Sequence, residues 1–397
     1  MEDRTAVANR RGAHSTEPPR LPPHLTHVAR RLLSRWGSSS AIWGVTVLLF
    51  LVSWVAQPQS LSRSSLLGML PFAAVLAIVA VGQTLVIQQR GIDLSVPGVV
   101  SITVVITSSY PNGNPSRLGA AVAIAYGGAV LAGLANGILV SRIGITPIVT
   151  TIGMNALLYG GNLAITGGVP RNTTEALSVF AAGSVYGVPT SVLVAIGLIT
   201  LTSFVSKRTV LGRRFEAVGA NPVAARAAGL PITRYQVGAY VAASVFYCSA
   251  GVLLAGLVTS PSAFQGDSYL LPSVAAVVLG GTSLLGGKGS VVASAMGALF
   301  LSQLGQFVLT TGLSTAVESL IEAVVLALGI AIYTVRWNRL RAWIRRAPLA
   351  GLREDAVPAR VEREASEPQR REGDGLQEYP SESHHISEAG QHTTGGG

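Results

Sequence analysis

From Ala41 to Tyr333 the chain is a succession of apolar runs separated by short polar joints. Ten of these runs approach the ~20 residues that an α-helix needs to cross a bilayer. They fall at about 41–58, 67–88, 96–110, 119–141, 146–166, 188–206, 236–259, 271–286, 290–310 and 315–334. The pattern predicts an all-α polytopic membrane protein with about ten transmembrane helices, an even number that leaves both termini on one side of the membrane. Arg90, Arg142, Lys207, Arg208, Arg213, Arg214, Arg226, Arg234, Lys288, Arg336, Arg339 and Arg341 share that side with the arginine-rich N-terminus, whereas only Arg63, Arg117 and Arg171 fall opposite. Basic loops are retained in the cytoplasm, so both termini are expected to be cytoplasmic.

One polar interruption is longer than the others. Residues 207–235, with the core TVLGRRFEAVGANPVAARAAGLPITRY, have nothing to bury against lipid. Inside this insert Asn221 suits an N-cap, Pro222 the first helical position, and Val223 to Ala228 the body of a helix of about two turns. Gly229 is placed to end it in the left-handed conformation, and Arg226 projects from it. A basic loop serving orientation alone would carry the charges but would not need a capped helix. The insert therefore reads as a docking element for another protein at the cytoplasmic face.

Composition sharpens this outline. Of 397 residues, 49% are hydrophobic and 12% charged, as in a helical membrane protein. The net charge of +10 sits in tails and loops beside apolar runs, which is membrane orientation and not nucleic-acid binding. Residues 1–40 form a basic, proline-bearing cytoplasmic tail, 41–334 the membrane domain, and 335–397 a cytoplasmic tail that reads as disordered from about 347. The first span serves as its own insertion signal. Cys248 lies in an apolar run and reads as a buried structural thiol, and the tail histidines His384, His385 and His392 read as solvated. No metal site is expected.

Polar residues within the runs are candidates for a hydrophilic path or for bonds between helices, because an amide in hydrocarbon costs free energy unless it finds a partner. Asn136, Asn155 and Asn162 are of this kind, while Gly133 and Gly137 form a GxxxG pair suited to close helix approach. Two glycine-rich junctions stand out. In GQTLVIQQRGIDLSVPGVVS (82–101), Asp93 or Ser95 is poised to cap a new helix before Pro97. The other, VVLGGTSLLGGKGSVVAS (277–294), superficially resembles a phosphate-binding loop, but Thr282 occupies the first glycine position and Gly289 follows Lys288, so no nucleotide site is recognisable.

GIDLSVPGVVS, PIVTTIGMNALLYGGNLAITGG (147–168), GANPVAARAAGLPITRYQ and AAVVLGGTSLLGGKGSVV occur in that order. Together they resemble the permease subunits of ribose-type sugar ABC importers, a family shared more broadly with branched-chain amino acid permeases, over about Leu66 to Tyr333. The resemblance implies a bacterial cytoplasmic-membrane subunit that pairs, as a homodimer or pseudo-dimer, with ABC ATPase subunits and an extracytoplasmic solute-binding protein. ATP would be used by the partner, with no cofactor and no catalytic residue in this chain. By position it places Gly219, Asn221, Pro222, Ala224, Ala225, Arg226 and Gly229 at the ATPase contact. The translocation path is expected to draw on Asp93, Ser95, Asn136, Asn155, Asn162, Thr282 and Ser283. Val96-Pro97-Gly98 departs from the more usual Val-Gly-Ser, and Leu270 and Pro272 replace residues that are acidic in many members, which leaves the particular sugar open.

Two rival classes are weaker. An ion-coupled secondary transporter would need ionisable groups in the membrane; Glu318 and Glu322 lie one turn apart, but the acidic set from Ala41 to Tyr333 is otherwise only Asp93, Glu175, Glu216 and Asp267. An intramembrane enzyme finds no histidine in the spans, and Asp93 and Asp267 are expected on opposite faces of the bilayer.

Overall fold

The computed structural model describes residues 38–327, apart from 259, 313, 315, 318, 319, 322, 325 and 326. These belong to the first of two compact units, Met1–Arg336; the second, Trp337–Gly397, and the tail histidines lie outside the described residues.

The chain is helical throughout this region. The helices are α1 (Ser38–Ala56), α2 (Arg63–Gln88), α3 (Val96–Ser109), α4 (Leu118–Ile138), α5 (Pro147–Thr166) and α6 (Glu175–Ala182), followed by α7 (Thr190–Arg208), α8 (Val210–Ala220), α9 (Pro222–Ala227), α10 (Ile232–Leu257), α11 (Leu270–Leu279) and α12 (Val291–Thr310). Strands β1 (Ser184–Val185) and β2 (Val188–Pro189) pair as a minimal hairpin between α6 and α7. Among the described residues, six helices are long and apolar enough to cross a membrane: α2, α4 with its flanking turns, α5, α7, α10 and α12.

Two of the expected spans form helices too short to cross a bilayer alone. The run at 96–110 forms the 14-residue α3 and the run at 271–286 the 10-residue α11. At 1.5 Å per residue these reach only about 21 and 15 Å, short of the ~30 Å hydrocarbon core. Hydropathy overestimates them because the loop after α11, Gly280 to Ser290, keeps leucines and glycines although its backbone has left the helix. The tenth run, 315–334, lies largely outside the described residues, as do Glu318 and Glu322.

Helix α10 is the hub. It packs most extensively on α4 and α2, with α3 closing a further side. On α4 the buried stripe Ala121, Ala125, Ala129, Ala132, Gly133, Asn136 and Gly137 recurs every three to four residues. A Cβ on Gly133 would come within 2.7 Å of Val241 Cα, and one on Gly137 within 2.7 Å of Val237 Cα. The GxxxG pair thus brings two backbones into contact, which matters where lipid is as apolar as leucine and helix association depends on close packing. Cys248 is fully buried on α10.

Candidate functional site

Three segments singled out in the sequence meet at one joint. Helix α2 ends in Gln88, Gln89 and Arg90, α8 ends in Gly219 and Ala220, and the loop after α11 contributes Gly286 and Gly287. Gly287 N–H donates to the Gln88 carbonyl at 2.9 Å. Arg90 adopts a positive φ of 68°, and its Nε–H donates to the Gly219 carbonyl at 2.8 Å, with a second guanidinium bond to the Ala220 carbonyl. Gln89 Nε2 donates to the Phe215 carbonyl at 2.8 Å. The last carbonyls of α8, which have no partner within their own helix, are thereby capped by a cation that also matches the negative end of the helix dipole.

The joint leaves no room for side chains on its glycines. A Cβ on Gly219 would sit 2.0 Å from the Gln88 carbonyl oxygen, and one on Gly287 would sit 2.6 Å from Ala220 Cα.

From this joint springs α9. Asn221 Oδ1 accepts the Ala224 N–H at 3.1 Å, Pro222 occupies the first turn, and Gly229 ends the segment at φ 77°. Leu230 N–H then donates back to the Ala225 carbonyl at 3.0 Å, closing the helix end. On its inner side α9 buries Ala225 in a small satellite core with Val218 and Ile232. On its outer side Asn221, Ala224, Arg226 and Gly229 are exposed, Pro222 is half-buried, and Val223 is 80% exposed. Of the residues expected at the docking contact, Gly219 and Ala225 therefore face inward. The helix α8 that carries this lever was not anticipated in the sequence, which suggested only the shorter turn after it.

A second polar region lies inside the bundle, where the chain leaves α2 and starts α3. Asp93 Oδ1 accepts Ser95 N–H at 2.8 Å and Ser95 Oγ–H at 2.5 Å, and Asn136 Nδ2 donates to Ser95 Oγ at 3.0 Å. The expectation that Asp93 or Ser95 caps α3 is corrected: Ser95 is the N-cap residue but makes no side-chain cap bond. The Gly98 N–H is satisfied by Asn155 Oδ1 of α5 at 2.7 Å, and Leu94 N–H by Thr151 Oγ1 at 2.9 Å. Thr151 and Asn155 are one turn apart on α5 and clamp the link from outside.

Asp93, Ser95 and Asn136 are fully buried, and Asp93 Oδ2, Asn136 Oδ1 and Tyr240 OH make no hydrogen bond among the described residues. Unpaired buried polar groups are costly. Their concentration at one place in the bundle makes this link a candidate functional interior.

The remaining path candidates lie elsewhere. Asn162, on the far half of α5, donates from Nδ2 to the Ala263 carbonyl at 3.0 Å. Thr282 is buried and Ser283 half-buried in the loop after α11, where Ser283 N–H donates to the Lys288 carbonyl at 2.9 Å. That loop belongs to the joint, since Gly289 lies against the Gln88 side chain.

Asp93 and Asp267 are also not separated as expected. The Gly266 N–H donates to Ser101 Oγ of α3 at 2.8 Å, and a Cβ on Gly266 would lie 2.3 Å from the Pro97 carbonyl oxygen. Both α3 and α11 are short, so the chain before α11 reaches in to meet the first turns of α3.

Residues 65–332 match the family model described as "Branched-chain amino acid transport system / permease component". Among curated proteins, the chain is 33% identical to the probable ABC transporter permease protein y4mJ of Sinorhizobium fredii, covering 78% of this chain and 92% of that one. It is 33% identical to the ribose import permease of Escherichia coli K12, over 72% of this chain and 90% of that one. It is 32% identical to the galactofuranose transporter permease of the same organism, over 82% and 98%. No solved structure matches.

Proposed function

Since this chain belongs to the family of branched-chain amino acid transport system permease components, we propose that it is the membrane-spanning subunit of an ABC importer in the bacterial cytoplasmic membrane and that its cargo is a monosaccharide. The relatives named for ribose and galactofuranose support the sugar class. In this reading the permease domain covers 41–334 with ten membrane passages, flanked by cytoplasmic tails at 1–40 and 335–397. Two permeases pair, an extracytoplasmic binding protein delivers the sugar, and ATP is bound and hydrolysed by partner subunits. Asp93, Ser95, Asn136, Asn155, Asn162, Thr282 and Ser283 serve the path.

One observation carries the coupling part of this reading: α9 is exposed on its outer side, with Val223 presented to solvent, yet is tied through α8, Arg90 and Gln89 to the end of helix α2. An exposed apolar side chain beside a cation on a rigid, capped helix suits a protein contact. Closure of two ATPases would push α9, and the joint would pass the displacement to α2 as rigid-body motion.

Deleting residues 221–229 is expected to abolish co-purification of the ATPase while membrane insertion persists; an ATPase that still co-purifies would refute the coupling assignment. Sugar uptake should stop on ATP depletion and survive a protonophore, the opposite of an ion-coupled carrier.

A further inference from the structure

We infer that Tyr159, Phe264 and Asp267 form a monosaccharide-binding subsite on the translocation path, at mid-height of α5. The inference rests on the transport reading above and adds to it a binding locus that none of the path residues read from the sequence occupies.

Tyr159 of α5 donates its hydroxyl to Asp267 Oδ1, and Phe264 meets the Tyr159 ring edge-on, with centroids 4.9 Å apart and planes at 88°. Tyr159 stands seven residues before the end of α5 at Thr166, roughly 10 Å in from that end of a helix long enough to span the membrane. Asp267 is exposed, Phe264 is 41% exposed, and Leu163, one turn from Tyr159 on α5, is exposed as well. Among the described residues no cation pairs with Asp267. Asp267 itself begins a short turn before α11 and meets α5 through Tyr159; a carboxylate held roughly 10 Å in from the end of a membrane helix with no ion partner would be costly against lipid. The surface it occupies is therefore one that meets water, which in a permease means the path.

The chemistry of the cluster suits a sugar. An ionised carboxylate accepts hydroxyl hydrogen bonds, and a carboxylate has room for several beyond the one from Tyr159. An exposed aromatic ring offers an apolar plate for the C–H face of a pyranose or furanose, the combination of apolar wall and few aimed polar groups found in small-molecule sites. The loop carrying Phe264 and Asp267 is held rigid by the Asn162 bond to the Ala263 carbonyl, the Gly266 bond to Ser101, and the contact of Gly266 with Pro97. Such fixation lowers the ordering cost of binding.

The test uses the transporter reconstituted in proteoliposomes with its ATPase and binding protein, with labelled D-ribose, D-fructose and D-galactose as probes. Asp267→Asn is expected to lower ATP-driven uptake about tenfold, the effect of one lost charge-assisted hydrogen bond, with ATPase turnover retained. Phe264→Leu should change the ratio of uptake among the three sugars, an effect that a purely structural role would not produce. In a Cys248→Ala background, Ser268→Cys should react with a membrane-impermeant, hydrophilic thiol reagent. Parental uptake and selectivity in both variants would overturn the subsite. So would a Ser268→Cys chain that reacts only with a lipid-soluble maleimide. If no ATPase associates with the chain, the transport reading fails on its own, and the labelling still decides whether this surface is wet.

Discussion

Helices α10 and α7 are both long and apolar enough to cross a membrane, yet 61% of the most apolar window of α10 is buried in the protein and only 11% of that of α7. The difference lies in what faces a neighbour. Helix α10 meets α4 through Gly133 and Gly137 and α3 through its own Gly251, where a Cβ would come 2.7 Å from Thr103 Cβ. Gly197 of α7 would meet nothing within 4 Å. Apolarity selects the membrane for both helices; small residues at contact points select the centre of the bundle for one of them.

The sharpest way to break this comparison is to place the same side chain in both helices. Gly251→Leu should cost about 3 kcal/mol through overpacking against α3, seen as a lower midpoint of thermal unfolding in detergent. Gly197→Leu should leave the midpoint unchanged or slightly raised. Equal effects would mean that the two helices do not differ in environment.

A smaller effect extends the comparison to the joint between α2, α8 and the loop after α11. Gly219→Ala places a methyl 2.0 Å from a backbone oxygen of Gln88, and relieving that overlap should cost about 2 kcal/mol. ATP-driven uptake should fall further than this stability loss accounts for, because the joint links α9 to α2; uptake that simply tracks the amount of folded protein would show that the joint is only structural. The smallest effect is expected at the outer end of the lever. Asn221→Ala removes the cap on the Ala224 N–H and should cost about 1 kcal/mol, registered as faster amide exchange confined to residues 223–228.

How much of this was legible depends on the distance over which each signal acts. The α9 lever could be read residue by residue, because a cap, a proline at the first turn and a glycine at the end act within a few positions of one another. The joint could not, since Arg90 reaches carbonyls at Gly219 and Ala220 across more than a hundred residues of chain. The trans cap on α3 was hidden in the same way: Asn155 was recognised as an amide in need of a partner, but nothing local names the Gly98 N–H as that partner. Asp267 could be assigned to the opposite face from Asp93 only on the reading that every run between them, 96–110 included, is a complete helical span.

What the chain determined by itself is its class and its local grammar: a membrane protein of many helices, with a capped turn starting at Asn221. These follow from solvent transfer and from backbone bonds between near neighbours, both of which are properties of a short window. Only the tertiary structure decided which helices lie at the centre, that α3 and α11 are short helices, and that Asp267 stands beside Tyr159 on a surface at mid-height of α5. Those outcomes depend on which backbone groups distant segments can satisfy for one another, and hydropathy carries no record of a partner.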